Sequence, residues 1–305
     1  MKYDVFLIGN ASMDFIFTGL PNMPLLGEET IAKGFDLVPG ESFTNAVVLH
    51  RLGVKVAWAA DFGTDAMSKL IIEEIRKEGL SEEFFVFHDR PFRRVTVAAS
   101  FEKERAFLTH YDREPDIPAA VKALPKVNAD ILFVPGLVQG KQYTAALPFI
   151  KVKKMRIVMD GNCASDASIS SRSVIRSISS ASVFIPNAKE SRTLTGLDDL
   201  EMAAKKLSEF CPLVVIKDGC NGSIAYDRST LFTSPGIPAK VVDTTGAGDC
   251  FSAGFIKAYL DGLSVQDCMT WGNITGGLST QGYGGTSIKV DAAMVKEYLR
   301  RHYSK

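Results

Sequence analysis

The sequence has no surplus charge of either sign: 35 lysines and arginines face 35 aspartates and glutamates. That balance excludes the broad basic field by which proteins hold nucleic acid or an anionic membrane, although local geometry can still hold an anion. Cysteine is scarce, five residues at 163, 211, 220, 250 and 268, with no Cys-x-x-Cys and no Cys/His cluster. A thiolate metal site is thereby excluded, and free thiols in a reducing compartment are expected. Cys250 reads as a small buried filler. No apolar run approaches the roughly 18 residues of a membrane span, and the chain opens straight into a strand at Tyr3-Asp4-Val5 without a leader pattern. The expected setting is therefore cytoplasmic. No Gly-x4-Gly-Lys-Ser/Thr occurs, so this is not a P-loop protein. The first strand, Val5–Ile8, runs into Gly9-Asn10-Ala11-Ser12-Met13-Asp14, which fails the Gly-x-Gly-x-x-Gly needed for a dinucleotide turn. Gly40-Glu41-Ser42-Phe43-Thr44 lacks the last glycine of a nucleophile elbow, and only four histidines exist, which argues against a serine hydrolase.

What is present is a core-forming chain of 305 residues, 46% hydrophobic. Buried-strand patterns at 5–8, 54–60, 131–135, 156–160, 183–185 and 213–216 alternate with helical patterns at 46–52, 66–78, 141–151 and 166–178. In the helix at 66–78, Met67, Leu70, Ile71 and Ile75 form the expected apolar side. Two short strands follow at 223–226 and 231–233, then helices at 250–260 and 264–280. The alternation predicts an α/β fold, a three-layer mostly parallel sheet with helices on both faces, in one domain over 1–305. Residues 14–38 have no helical period and contain Gly19, Pro21, Pro24, Gly27 and Gly34, with short strands expected at 15–17 and 30–32. Residues 93–100 and 105–110 alternate around 101–104 and predict a hairpin. Residues 14–38 predict a small β flap leaving the main domain.

The stretch Val241-Val242-Asp243-Thr244-Thr245-Gly246-Ala247-Gly248-Asp249-Cys250-Phe251 carries the chemistry. A strand end at Val241-Val242 is expected to lead through a turn nearly bare of side chains into a buried helix. The amides of Gly246, Ala247 and Gly248 can approach an anion closely, and the helix aims its positive end at the same place. Asp249, in the first helical turn, sets a carboxylate beside that anion site. The pairing suits phosphoryl transfer: the turn holds negative charge while Asp249 takes the proton of an attacking hydroxyl. Read alone, Gly-x-Gly-Asp is better read as an ordinary helix start favoured by the dipole, with the glycines merely making a turn.

The full Asp-Thr-Thr-Gly-Ala-Gly-Asp string closely resembles the C-terminal motif of the ribokinase-like (PfkB) carbohydrate kinases. The resemblance implies an ATP-dependent kinase acting on a hydroxyl of a small sugar, with Asp249 as base and Gly246, Ala247 and Gly248 as anion hole. It implies sugar contacts at Asp14, beside Ser12, and at Gly40, Glu41 and Asn45. There the family has Gly-Gly-x-x-x-Asn, and here Glu41 replaces the second glycine. Asn187-x-x-Glu190 matches the family's Mg²⁺ and phosphate motif, reads equally as a helix capping box, and has Asp160 as a neighbour. Lys217 with Gly219-x-x-Gly222 resembles the nucleotide-phosphate turn, and Asn273 is implied near the adenine. Carbonyls of Asp243 and Thr245 with the 279–285 turn are the implied K⁺ ligands. The family pairs such a hairpin with the flap, which implies a discontinuous β lid over the sugar from about 14–38 and 92–111. Such lids pair between subunits in the family, and Arg93, Arg94 and Arg105 on it are candidates to meet an anionic substrate group. Two alternatives stay open: a nucleoside or sugar-phosphate kinase of the same family, and a catalytically silent nucleotide- or sugar-binding regulator.

Overall fold

The computed structural model describes residues 2–101 and 105–303, so the expected hairpin tip at 102–104 lies outside the described residues. In chain order the strands are β1 (Tyr3–Ile8), β2 (Ala11–Thr18), β3 (Gly34–Glu41), β4 (Val56–Ala59), β5 (Asp61–Phe62), β6 (Val86–Phe87), β7 (Arg94–Ser100), β8 (Arg105–Tyr111), β9 (Ala129–Val134), β10 (Arg156–Asp160), β11 (Val183–Ile185), β12 (Leu213–Lys217), β13 (Ser223–Tyr226) and β14 (Leu231–Ser234). The helices are α1 (Ser42–Arg51), α2 (Ala66–Lys77), α3 (Ala119–Ala123), α4 (Lys141–Val152), α5 (Arg172–Ser180), α6 (Ala188–Thr195), α7 (Leu200–Ser208), α8 (Ala247–Leu260), α9 (Val265–Ser279) and α10 (Ala292–His302).

Eight strands form the main sheet in the order β14-β13-β12-β11-β10-β9-β1-β4. From β4 to β12 every pairing is parallel, and only the β12-β13-β14 edge is antiparallel. Side chains alternate across it, as the strand period requires. Val5, Leu7, Ile131, Phe133, Val158 and Val215 point to one face, where α1, α2, α8 and α9 cover them. Phe6, Leu132, Val134, Met159, Phe184 and Val214 point to the other, under α4, α5 and α7. Because both faces are covered, the strands read as unbroken apolar runs.

A second sheet, β3-β2-β7-β8, stands apart as the lid. Two of its strands are longer than expected, and one is displaced: β2 spans 11–18 and β3 spans 34–41, so Ser12, Asp14, Gly40 and Glu41 lie on the lid strands themselves. Four other expectations are corrected. Residues 30–32 form no strand, since β3 begins only at Gly34. Val241 and Val242 are exposed and outside any strand, because β14 has already closed that sheet edge. The helix expected from 166 starts at Arg172. Leu70 is exposed, and Ser68 and Ile72 complete the buried side of α2 instead. Among the described residues no helix is long and apolar enough to cross a membrane.

Candidate active site

A cleft of about 590 Å³ opens where the carboxyl ends of the main strands meet the lid. It is lined by Ser12, Asp14, Gly40, Glu41, Asp160, Asn187, Glu190, Lys217, Thr245, Gly246, Gly248 and Asp249, joined by Arg94, Arg105 and Tyr111 from the lid. Ligands of open α/β sheets bind at that end of the strands.

The string at 243–249 forms one wall. Gly246 caps α8 with φ +74°, and a Cβ there would lie 2.8 Å from the Gly285 Cα. Both the left-handed backbone and the contact with Gly285 require glycine. Asp249 follows in the first turn of α8 and faces the cleft. Its carboxyl is pushed up from 3.8 to about 7, first by loss of hydration, then by the neighbouring negative charge of Asp160. Lys217 and a hydrogen bond from Asn45 pull the other way. A carboxylate that titrates near neutrality is matched to a base that must both take and release a proton.

Behind Asp249 lies an ionic network. Lys217, at the end of β12, donates to both oxygens of Asp160 at 2.7 and 2.8 Å. Ser252, one turn into α8, also donates to Asp160. Burial works against the charge on Lys217, but Asp160 and Glu190 outweigh it and hold the ammonium above its ordinary range. The Lys217 ammonium stands beside Gly248: a Cβ on Gly248 would be 3.4 Å from Nζ. A buried cation therefore sits against the bare-amide turn.

Asn187 and Glu190 form the expected capping box on α6. The Asn187 side chain accepts from the Glu190 N–H at 2.9 Å, and the Glu190 carboxylate accepts from the Asn187 N–H at 2.7 Å. Loss of hydration raises the Glu190 carboxyl, partly offset by Lys217.

At the lid end of the cleft, Asp14 is buried and accepts from Ser12 Oγ at 2.9 Å. Burial pushes it up to about 6. Gly40 makes room for it: a Cβ there would stand 2.3 Å from Asp14 Oδ2. Glu41 occupies a backbone position at φ 55°, ψ −130° that glycine takes easily and other residues rarely. Its carboxylate accepts from Tyr111 Oη at 2.5 Å and from Arg94 at 3.3 Å. Arg94 lies 3.8 Å over the Tyr111 ring and also donates to Glu114 at 2.6 Å.

Three expectations change in this region. Asn45 is fully buried, and its Nδ2 donates to Asp249 Oδ1 at 3.0 Å, so it holds the carboxylate instead of lining the cleft. Asn273 is also buried, with its amide on Ser223 Oγ and the Ser234 carbonyl, away from the cleft. Gly219 and Gly222 fall outside the cleft lining, and Gly222 packs against the 234–236 segment. The lid arginines are all paired. Arg93 is on Asp112, Arg94 on Glu41 and Glu114, and Arg105 on Asp243 and Thr245. Asp243 further accepts from the N–H groups of Thr245 and Gly284, which tie the motif to the 284 turn. Sequence reading missed Tyr111, Glu114 and Ser252.

This combination of a parallel α/β sheet, a separate β lid and an acid-and-amide wall between them has clear counterparts. Residues 4–292 match the pfkB family carbohydrate kinase, and the chain belongs to that family. It is 25% identical over 300 residues to the ribokinase of Lactococcus lactis, covering 97% of each chain. It is also 25% identical over 245 residues to an uncharacterized sugar kinase of Archaeoglobus fulgidus, covering 77% of this chain and 95% of that one. The solved structure of Arabidopsis thaliana ribokinase complexed with ribose and ATP superposes with a TM-score of 0.81 at 22% identity, covering 98% and 99% of the two chains. The fold is ribokinase-like, and the protein is a carbohydrate kinase.

Proposed function

We propose that this protein transfers the γ-phosphoryl group of ATP to a hydroxyl of a small sugar or sugar-like acceptor. The observation that carries the reading is Asp249: a carboxylate titrating near 7 faces the cleft one turn from Gly246 and is fixed from behind by Asn45. The acceptor would sit between Asp14 and Asp249 beneath the lid. Asp249 takes the hydroxyl proton as the oxygen attacks phosphorus. The amides of Gly246, Ala247 and Gly248 and the Lys217 ammonium hold the charge that spreads over the transferred group, and one such donor is typically worth about 3 kcal/mol.

ATP phosphates would lie along Lys217, Asn187 and Glu190. Among the described residues no cluster of three or more His, Cys, Asp or Glu could cage a metal. That suits Mg²⁺ held mostly by water and phosphate, with Asn187 and Glu190 at its outer shell. Bound there, the ion neutralises phosphate charge. K⁺, if used, would rest on the carbonyls of Asp243 and Thr245, whose side chains are already engaged. Phe35, Phe107 and Leu108 stand exposed on the lid, which supports its use as a pairing surface between two copies in a cytoplasmic setting.

The test is ADP release with ATP and a panel of sugars and nucleosides. Sugar-dependent release supports the reading. Binding of both ligands with no release supports a silent regulator instead.

A further inference from the structure

The strain at Glu41 calls for a reason. Glycine would take φ 55°, ψ −130° freely, yet this chain keeps a glutamate there and points its carboxylate into the cleft. Residues held in such backbone regions persist where the surroundings over-determine them, and they cluster at functional sites. Here two lid residues hold the side chain: Tyr111 donates to it, and Arg94 donates to it while stacking on Tyr111. Register sets this arrangement, because Arg94 and Tyr111 are direct partners across β7 and β8.

The charge around this end of the cleft follows from those contacts. Arg94 carries one positive charge and meets two carboxylates, Glu41 and Glu114. Asp14 adds another acid close enough to feel Glu41. Arg105, the other cation lining the cleft from the lid, is paired with Asp243. The sugar end thus offers acceptors in excess and no unpaired cation among the described residues. Hydroxyl groups satisfy such acceptors. A carboxylate or phosphate on the acceptor would meet like charge in a confined space, where repulsion is poorly screened.

We propose that Glu41 is a specificity-determining residue, which selects uncharged polyhydroxy acceptors and rejects sugar acids and sugar phosphates. The assignment rests on the kinase reading for the identity of the cleft, but its test does not require phosphoryl transfer. Calorimetric titration without nucleotide compares D-ribose and D-fructose with D-gluconate and D-ribose 5-phosphate, on wild type, Glu41→Gln and Glu41→Gly. The glutamine variant keeps the shape and loses the charge. The glycine variant takes the same backbone without strain, so the test does not depend on one variant folding.

Wild type is expected to bind a neutral probe at least tenfold more tightly than either anionic one. In both variants that ratio is expected to shrink about tenfold, because anionic probes bind more tightly. An anionic probe bound as well as the neutral ones by wild type, a ratio unmoved in the variants, or no binding of any probe overturns the assignment. ADP release, measured in parallel, separates the two readings. Selective binding without turnover removes the kinase and keeps Glu41, and turnover without Glu41-dependent selectivity does the reverse.

Discussion

Asn45 on α1 and Asp249 on α8 are 204 positions apart in sequence and joined by one hydrogen bond of 3.0 Å, from Nδ2 to Oδ1. The bond engages one Asp249 oxygen, and the proposed mechanism uses the other to take the substrate proton. It also favours the charged form of the carboxylate, against the burial that disfavours it. The Asn45 Oδ1 atom, by contrast, is buried without a partner.

Replacing Asn45 by leucine removes that donor and the unpartnered oxygen together. Turnover is expected to fall about 10- to 100-fold, the range for a hydrogen bond to a charged group. The acid limb of the pH–rate profile should move upward, because the charged form of Asp249 has lost support. A pH–rate profile of the variant beside its melting temperature checks this: a fall in rate with an unmoved limb contradicts a positioning role.

Gly40→Ala is expected to act on substrate binding. Its Cβ would overlap Asp14 Oδ2, so the carboxylate must turn away from the cleft. KM for the sugar should rise tenfold or more, with a smaller change in kcat and in KM for ATP. Steady-state kinetics with each substrate varied in turn separates these.

Lys217→Met should be the most destabilising of these changes, because Asp160 is left buried without its cation. Breaking one side of a buried pair typically costs about 3–5 kcal/mol. Adding Asp160→Asn should recover much of that stability, while activity stays low because the cation beside Gly248 is gone. Denaturant melts and ADP release on the single and double variants test both halves.

Much of the architecture was legible from local pattern. Apolar runs such as Leu213–Ile216 suit strands covered on both faces, and the 243–249 string was a signal for residues that do line the cleft. The capping box at Asn187 and Glu190 was readable because its two partners are three residues apart. What escaped depended on pairing across distance. That Asn45 turns inward to Asp249 follows from how α1 packs on α8, which no local spacing encodes. The partnership of Arg94 with Tyr111 was within reach: a hairpin turning at 101–104 pairs Ser100 with Arg105 and, by the same register, Arg94 with Tyr111. The expected strand at 241–242 failed because β-branched residues favour strands only where a neighbouring strand is there to pair.

Asp249→Asn should also change stability in a pH-dependent way. Folding raises the proton affinity of this carboxyl, from 3.8 to about 7. Its contribution to stability is therefore fully present below about pH 4 and is lost as pH climbs through about 7. The neutral asparagine escapes that loss. At pH 8 the variant is expected to be more stable than wild type by ~1–2 kcal/mol, a value discounted for the partial exposure of the group. At pH 5 the gain should be smaller. Thermal melts at the two pH values decide it, and a gain that is equal or larger at pH 5 contradicts the assigned proton affinity.

The most direct measurement of the central claim is sugar-dependent ADP release from pH 5 to 9 for wild type and Asp249→Asn. The expected result is a wild-type rate that climbs through an apparent pKa near 7, with the variant slower by about 10²–10⁴-fold at pH 9 and by a much smaller factor at pH 5, where wild-type Asp249 is itself mostly protonated. A variant that keeps the wild-type rate and profile contradicts the assignment of Asp249 as the base.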